Sequence, residues 1–218
     1  MKTAAIVSAG DFNKDEFLRL KEFVGFDEVV AVDAGYNHLI DMDVKPDVAL
    51  GDFDSLGYKP KGVRCAIFPE EKDFSDTELA FKRLQGFRFD NLYVFGALGG
   101  RLDHTLANLR TGAFHVRNYV NRNYRCTFIG LNEIIVFLPG GTAFESSERP
   151  EIPIHIGQTV TLMPLDESCR GCFVRGMKYE SDDVNFRNSA SIGLSNIVES
   201  EDIMIGLEEG VLAIIFNL

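Results

Sequence analysis

The sequence has no tryptophan, only four cysteines in 218 residues, and no surplus of basic side chains. Its 22 Lys and Arg stand against 33 Asp and Glu, a formal net charge of −11. That balance argues against a reader of phosphate backbones, which needs a basic stripe, so no nucleic-acid partner is expected. A single small anionic ligand is still allowed, because a metal and a few local cations reverse the field at a site. No apolar run approaches the roughly 18 residues of a membrane span, so no membrane partner is expected. Residues 1–10 have a short apolar stretch that runs straight into Asp11. A buried first strand fits it better than a signal peptide, and the cytoplasm is the expected location. Two familiar phosphate motifs are also missing. Gly57 and Gly62 have P-loop spacing, but Val63-Arg64 stands where Lys-Ser/Thr is required, and no GxGxxG follows a strand.

The cysteines do not form a framework. Cys65 and Cys126 fall in strand-like segments and read as small core residues. Cys169-Arg170-Gly171-Cys172 has CxxC spacing, yet neither a second such pair nor matching histidines accompany it. A thioredoxin-like context is absent too, so ordinary reduced thiols are expected.

A hydrophobic fraction of 45% supports a proper core. Short apolar runs at 4–8, 28–32, 48–50, 63–68 and 91–95 read as strands. Helical spacing appears at 16–24 and 36–40, after the capping box Ser75-Asp76-Thr77-Glu78, and over 102–116. In the last of these Leu102, Leu106, Leu109, Ala113 and Val116 share one stripe. Alternating strands and helices predict an α/β domain over 1–138, a mainly parallel sheet with helices on both faces. Near Pro139-Gly140-Gly141 the pattern changes. Strand-like runs at 159–163, 202–207 and 211–216 predict an all-β, sandwich-like domain over 139–218, with a mobile loop at 145–153.

Chemistry-bearing residues recur at strand-to-helix junctions. Asp33 and Gly35 follow one strand. Gly51-Asp52-Phe53-Asp54-Ser55 follows another, and extended backbone would point Asp52 and Asp54 the same way. Lys72-Asp73-Phe74-Ser75-Asp76 precedes a helix, and Gly96 to His104 joins a strand to the long helix. In a parallel sheet these junctions share one edge, where ligands bind. Paired carboxylates repel unless a cation sits between them, and Mg²⁺ suits such a pair. Helix N-termini and glycines favour an approaching phosphate.

Together these stretches resemble the thiamine pyrophosphokinase family: Asp33-Ala34-Gly35, Pro46-Asp47 with Gly51-Asp52-Phe53-Asp54-Ser55, Lys72-Asp73-Phe74-Ser75-Asp76, and Gly99-Gly100-Arg101-Leu102-Asp103-His104 with Asn108. In the second half Gly176-Met177-Lys178-Tyr179 and Gly193-Leu194-Ser195-Asn196 match. The resemblance implies transfer of diphosphate from ATP to thiamine, giving thiamine diphosphate and AMP with Mg²⁺. It also implies a homodimer with thiamine between the α/β domain of one subunit and the β domain of the other. By position, Asp52, Asp54 and Asp76 would hold Mg²⁺, and these acids with Arg101 and Asp103 form the catalytic set. Asp33, Gly35, Lys72, Asp73, Gly99, Gly100, Arg101 and His104 would contact ATP. Ser195 and Asn196 would hydrogen-bond the aminopyrimidine. Tyr179 stands where a tryptophan is frequent and offers an aromatic face to the thiazolium. The residues leave open which carboxylate takes the hydroxyl proton. A DxD glycosyltransferase and a non-catalytic sensor of nucleotide or thiamine diphosphate are the alternatives.

Overall fold

The structure is a computed structural model, and it describes residues 1–67, 73–119 and 124–218. The chain divides into two compact units. The first, residues 1–111 with 126–131, starts with β1 (Thr3–Val7), α1 (Lys14–Phe23), β2 (Glu28–Val32), α2 (Gly35–Ile40) and β3 (Val48–Gly51). It continues through β4 (Arg64–Ile67), α3 (Asp76–Gln85), β5 (Asn91–Phe95), the start of α4 (Leu102–Asn118) and β6 (Arg125–Ile129). Within this unit the strand order is β6-β5-β1-β2-β3-β4. β1 runs parallel to β2 and β5, and β3 runs parallel to β2 and β4. Every residue of β1, β2 and β3 is buried, as expected of parallel strands covered on both faces.

Local chemistry fixes the helix starts. The Asn13 side chain accepts the Glu16 N–H and opens α1, and Ser75 Oγ accepts the Glu78 N–H at 3.1 Å and opens α3. Phe17 of α1 packs on Phe95 of β5 and on Phe26, with centroids 5.1 and 5.5 Å apart. In α3, Thr77, Ala80, Phe81 and Leu84 are buried, as their spacing predicts. The stripe expected along α4 needs correction. Ala113 and Val116 are buried, but Leu102 and Leu106 are 71% and 50% exposed. The first turns of α4 therefore carry apolar side chains into solvent. Cys65, expected in the core, is only half-buried, while Cys126 is fully buried.

The chain moves from β1 to β4 on one side of the sheet and places β5 and β6 on the other, so the winding reverses between β1 and β5. At such a switch the loops leaving the two strands part and open a crevice. Here they stay zipped for a few residues: the N–H groups of Ser8, Gly10 and Asp11 donate to the carbonyls of Phe95, Gly96 and Leu98.

The second unit, residues 112–125 with 132–218, is built from antiparallel strands. They are β7 (Glu133–Pro139), β8 (Thr142–Glu145), β9 (Thr159–Pro164), β10 (Ser168–Arg175), β11 (Ser181–Arg187), β12 (Asn196–Ile197), β13 (Met204–Leu207) and β14 (Val211–Asn217). One layer runs β12-β9-β14-β7 and the other β11-β10-β13-β8. Phe144 of β8 meets Phe216 of β14 with centroids 5.5 Å apart, a core contact between the layers. This is the sandwich-like β fold the sequence pattern implies.

The CxxC pair lies in β10. At i and i+3 on a regular strand the two thiols would face opposite sides. Gly171, at φ 59°, sits in a bulge, and both cysteines turn inward and are buried. Burial pushes the Cys169 thiol up to about 12 and the Cys172 thiol up to about 11, so both are protonated and unreactive. The stretch at 145–153 is held more firmly than its composition suggests. It contains a 3₁₀ turn at Ser146–Glu148, a buried Arg149–Glu151 ion pair at 2.5 Å and a buried Ile152.

Candidate active site

In the first unit, the carboxyl ends of β2 and β3 deliver their acids to one place. Asp33 leaves β2 in the left-handed region at φ 46°, with its N–H on the Leu50 carbonyl at 2.9 Å. Its Oδ1 accepts the Phe53 N–H at 3.4 Å. Asp76, the first residue of α3, lies close enough to hydrogen-bond Asp33, and Asp52 adds its charge nearby. Burial first, then Asp76 and Asp52, push the Asp33 carboxyl up to about 7 against the opposing Phe53 N–H. The start of α3 is pinned by a buried 3.1 Å hydrogen bond between Ser8 Oγ and Thr77 Oγ1.

Asp52 and Asp54 do not lie on extended backbone, contrary to the sequence reading. Phe53 is left-handed at φ 64°, and a 3₁₀ turn begins at Asp54. The Asp54 N–H donates to Asp52 Oδ1 at 3.1 Å. The Phe53 side chain is buried and anchors the turn, while Asp54 is exposed.

The glycine-rich turn after β5 has Gly96, Gly99 and Gly100 at positive φ. A Cβ on Gly96 would stand 2.2 Å from the Ser8 carbonyl oxygen, so only glycine brings the two loops together. Arg101 forks onto Asp103, Nε to Oδ1 at 3.1 Å and Nη2 to Oδ2 at 2.6 Å. That contact, ahead of any other, holds the Asp103 carboxyl down to about 2, and both side chains are exposed. The His104 N–H caps onto Asp103 Oδ1. Buried Asn108 donates to the Ala97 carbonyl at 2.8 Å and ties α4 to the turn.

In the second unit, Tyr179 and Asn196 line a cavity of about 390 Å³ whose walls include Leu162, Val174 and Phe186. Tyr179 is 64% exposed and Asn196 is buried. Ser195, read as a neighbour of Asn196 on the ligand, is not among the lining residues. It is left-handed at φ 54°, with its N–H on Thr161 Oγ1.

Residues 23–122 match the thiamin pyrophosphokinase catalytic domain, and residues 148–212 match the thiamin pyrophosphokinase vitamin B1 binding domain. The chain belongs to the thiamin pyrophosphokinase family. Among relatives of that family, the thiamine pyrophosphokinase of Bacillus subtilis is 26% identical over 207 residues, covering 90% of this chain and 89% of the relative. Thiamine pyrophosphokinase 1 of Oryza sativa subsp. japonica is 28% identical over 181 residues, covering 75% and 63%. The fold is that of the thiamine pyrophosphokinase crystal structure from Bacillus subtilis, at TM-score 0.80 and 22% identity over 99% of each chain. The thiamin pyrophosphokinase structure from Candida albicans also matches, at TM-score 0.80 and 18% identity over 100% of this chain and 89% of that one. Neither a DxD glycosyltransferase nor a non-catalytic sensor finds support in these likenesses.

Of the thiamin pyrophosphokinase positions singled out in the sequence, Asp33, Asp52 and Asp76 converge, and Asp54 follows on the same turn. Gly35 packs where a Cβ would stand 2.1 Å from the Val7 carbonyl oxygen. Asp73 is exposed ahead of α3, and Lys72 lies outside the described residues. Sequence reasoning missed Asp11. A Cβ on Gly99 would stand 2.0 Å from its Oδ2, so Asp11 sits against the glycine-rich turn. Only the β1–β5 neighbourhood reveals this, and no spacing in the sequence signals it. Among the described residues, no helix is long and apolar enough to cross a membrane.

Proposed function

We propose that this chain binds ATP and thiamine and transfers the terminal diphosphate of ATP to the thiamine hydroxyl, releasing thiamine diphosphate and AMP. The observation that carries the reading is the convergence of Asp33, Asp52 and Asp76 at one sheet edge of a chain matched in both halves by domains of one kinase family. In the transfer, the thiamine oxygen attacks the β-phosphorus in line with the departing AMP oxygen. A bond forms between the β-phosphorus and the thiamine oxygen, the bond from the β-phosphorus to the bridging oxygen breaks and that oxygen leaves with AMP, and the hydroxyl proton passes to a carboxylate. Catalysis of this kind is mainly positioning and charge neutralisation.

The donor set fits Mg²⁺. Among the described residues, no three His, Cys, Asp or Glu side chains group into a metal cage. Mg²⁺ needs none, since it takes one or two carboxylates and completes its shell with water and phosphate. Burial first, then the neighbouring acids Asp76 and Asp52, raise the Asp33 carboxyl, and a cation among these acids would offset their mutual repulsion. Asp52, Asp54 and Asp76 would hold the ion, which when bound offsets charge on the diphosphate being moved. Asp33 and Gly35 border the nucleotide with Lys72, Asp73 and His104. Gly99 and Gly100 let backbone approach phosphate, and Arg101 exchanges Asp103 for a phosphate oxygen pair.

Thiamine is assigned to the second unit's cavity, with Tyr179, Ser195 and Asn196 on its side of the reaction. A homodimer, with each site shared between the α/β domain of one subunit and the β domain of the other, is part of this proposal, as is a cytoplasmic setting. The reading is tested by incubating the chain with ATP, thiamine and Mg²⁺. AMP and thiamine diphosphate should appear in equal amounts, and AMP should not form without thiamine. ADP as the product, or no reaction, would overturn it. Mixing Asp54→Asn with Asn196→Ala subunits tests the shared site. At limiting thiamine and Mg²⁺, activity of the mixture should exceed the mean of the two parents, and no excess despite proven exchange of subunits would assign each site to one chain.

A further inference from the structure

The Asn196 carboxamide is committed to backbone. Its Oδ1 accepts the Tyr179 N–H at 3.0 Å and the Ile197 N–H at 2.9 Å, and its Nδ2 donates to the Tyr179 carbonyl at 3.1 Å. A carboxamide oxygen has two lone pairs, and both are taken. The partners also fix which end is oxygen, since a flipped amide would set its NH₂ against two N–H donors. The residue is 4% exposed. An aminopyrimidine edge asks for a donor and an acceptor side by side, and Asn196 has no acceptor to offer.

What Asn196 holds is the segment carrying the exposed aromatic ring. Both polar groups of the Tyr179 backbone close on this one side chain. The Lys178 N–H donates to the Ile197 carbonyl at 2.8 Å, and Met177 bridges Val198. Asn196 is itself seated by pairing with Val160 of β9. Residues 177–179 are thus clamped along β12, and Tyr179 is among the residues that line the 390 Å³ cavity. The ring already draws a cation, with Lys178 Nζ 5.5 Å from its centroid.

We infer that Asn196 is a positioning residue: it acts on thiamine through Tyr179, by fixing the ring that receives the thiazolium cation, and makes no hydrogen bond to the aminopyrimidine. This rests on the function proposed above. It also separates two residues that the family resemblance both sets on thiamine, since buried Asn196 orders the wall while exposed Tyr179 meets the ligand.

The test is a double-mutant cycle read by calorimetric titration of four proteins: wild type, Asn196→Ala, Tyr179→Leu and the double variant. Each is titrated with thiamine and with its uncharged isostere, in which carbon replaces the thiazolium nitrogen. Asn196→Ala should weaken thiamine about fivefold or more, the scale of a lost cation–π contact, while changing the isostere and ATP by less than about twofold. In the Tyr179→Leu background the same change should cost less than about twofold, because residues acting in series are not additive. An equal loss in both backgrounds, or an equal loss for thiamine and isostere, would overturn the inference and make Asn196 a direct ligand. If Asn196→Ala does not fold, Asn196→Asp, which keeps the acceptors and loses the donor, enters the same cycle with the same criteria. Failure of the wild type to bind thiamine at all would instead overturn the proposed function, and this inference with it.

Discussion

Gly51 closes β3 against Asp33: a Cβ at Gly51 would stand 1.8 Å from Asp33 Oδ1. Gly51 also has φ 143°, where L side chains are strained. The glycine before the two acids therefore makes room for a third acid from the neighbouring strand. Gly51→Ala should push Asp33 away from Asp76 and the Phe53 N–H and cost about 1–3 kcal/mol of stability. Urea unfolding measures that cost. Thiamine-dependent AMP release, assayed where the variant is fully folded, should fall by at least about tenfold. Full activity in the folded variant would show that the site tolerates Asp33 elsewhere.

Asp54→Asn keeps shape and removes one charge from the turn in which the Asp54 N–H donates to Asp52 Oδ1. Turnover at limiting Mg²⁺ should drop by about tenfold or more, a barrier rise of about 1.4 kcal/mol. Excess Mg²⁺ should recover part of it. Unchanged turnover across a Mg²⁺ titration would remove Asp54 from the site.

Arg101 forks onto Asp103 through two nitrogens. Lysine keeps the charge and loses the fork. Arg101→Lys should raise the KM for ATP several-fold and leave the KM for thiamine nearly unchanged. Equal effects on both substrates would contradict a phosphate role.

His115 is buried in the second unit, with its ring 5.2 Å from Tyr119 and 5.3 Å from Tyr124 between centroids. Burial holds its pKa down to about 4, against 6.5 for the exposed group. The unfolded chain therefore takes up this proton first on acidification. The stability linked to His115 is complete above about pH 6.5 and is lost as pH falls toward 4. At about 1.36 kcal/mol per unit the loss is on the order of 3 kcal/mol. His115→Phe should flatten the fall in unfolding free energy between pH 6.5 and 4. An identical slope in wild type and variant would assign the acid loss to carboxylates.

Much of the first unit was legible because its strands are short apolar runs that end in Gly or Asp. Val48, Ala49 and Leu50 are wholly buried, and the acids follow at once. The shared edge followed from parallel pairing alone. What stayed hidden depends on contacts between segments distant in sequence. The left-handed turn at Phe53 re-aims Asp54, which a period-2 reading cannot see. Asp11 joins the edge only because β1 and β5 are neighbours. In the second unit, β10 and β11 alternate too weakly to announce themselves, since a bulge at Gly171 breaks the period and several outward residues are charged. Asn196 reads as a ligand only through the family resemblance, and its hydrogen bonds to Tyr179 appear only once β12 is set beside that segment.

The central claim is that a diphosphate moves as one unit. It is tested by supplying ATP labelled in either the α- or the γ-phosphate, with thiamine and Mg²⁺, and separating the products. The account requires the γ-label in thiamine diphosphate and the α-label in AMP. Label from the γ-phosphate in thiamine monophosphate with ADP as co-product, or in free phosphate alone, would contradict it.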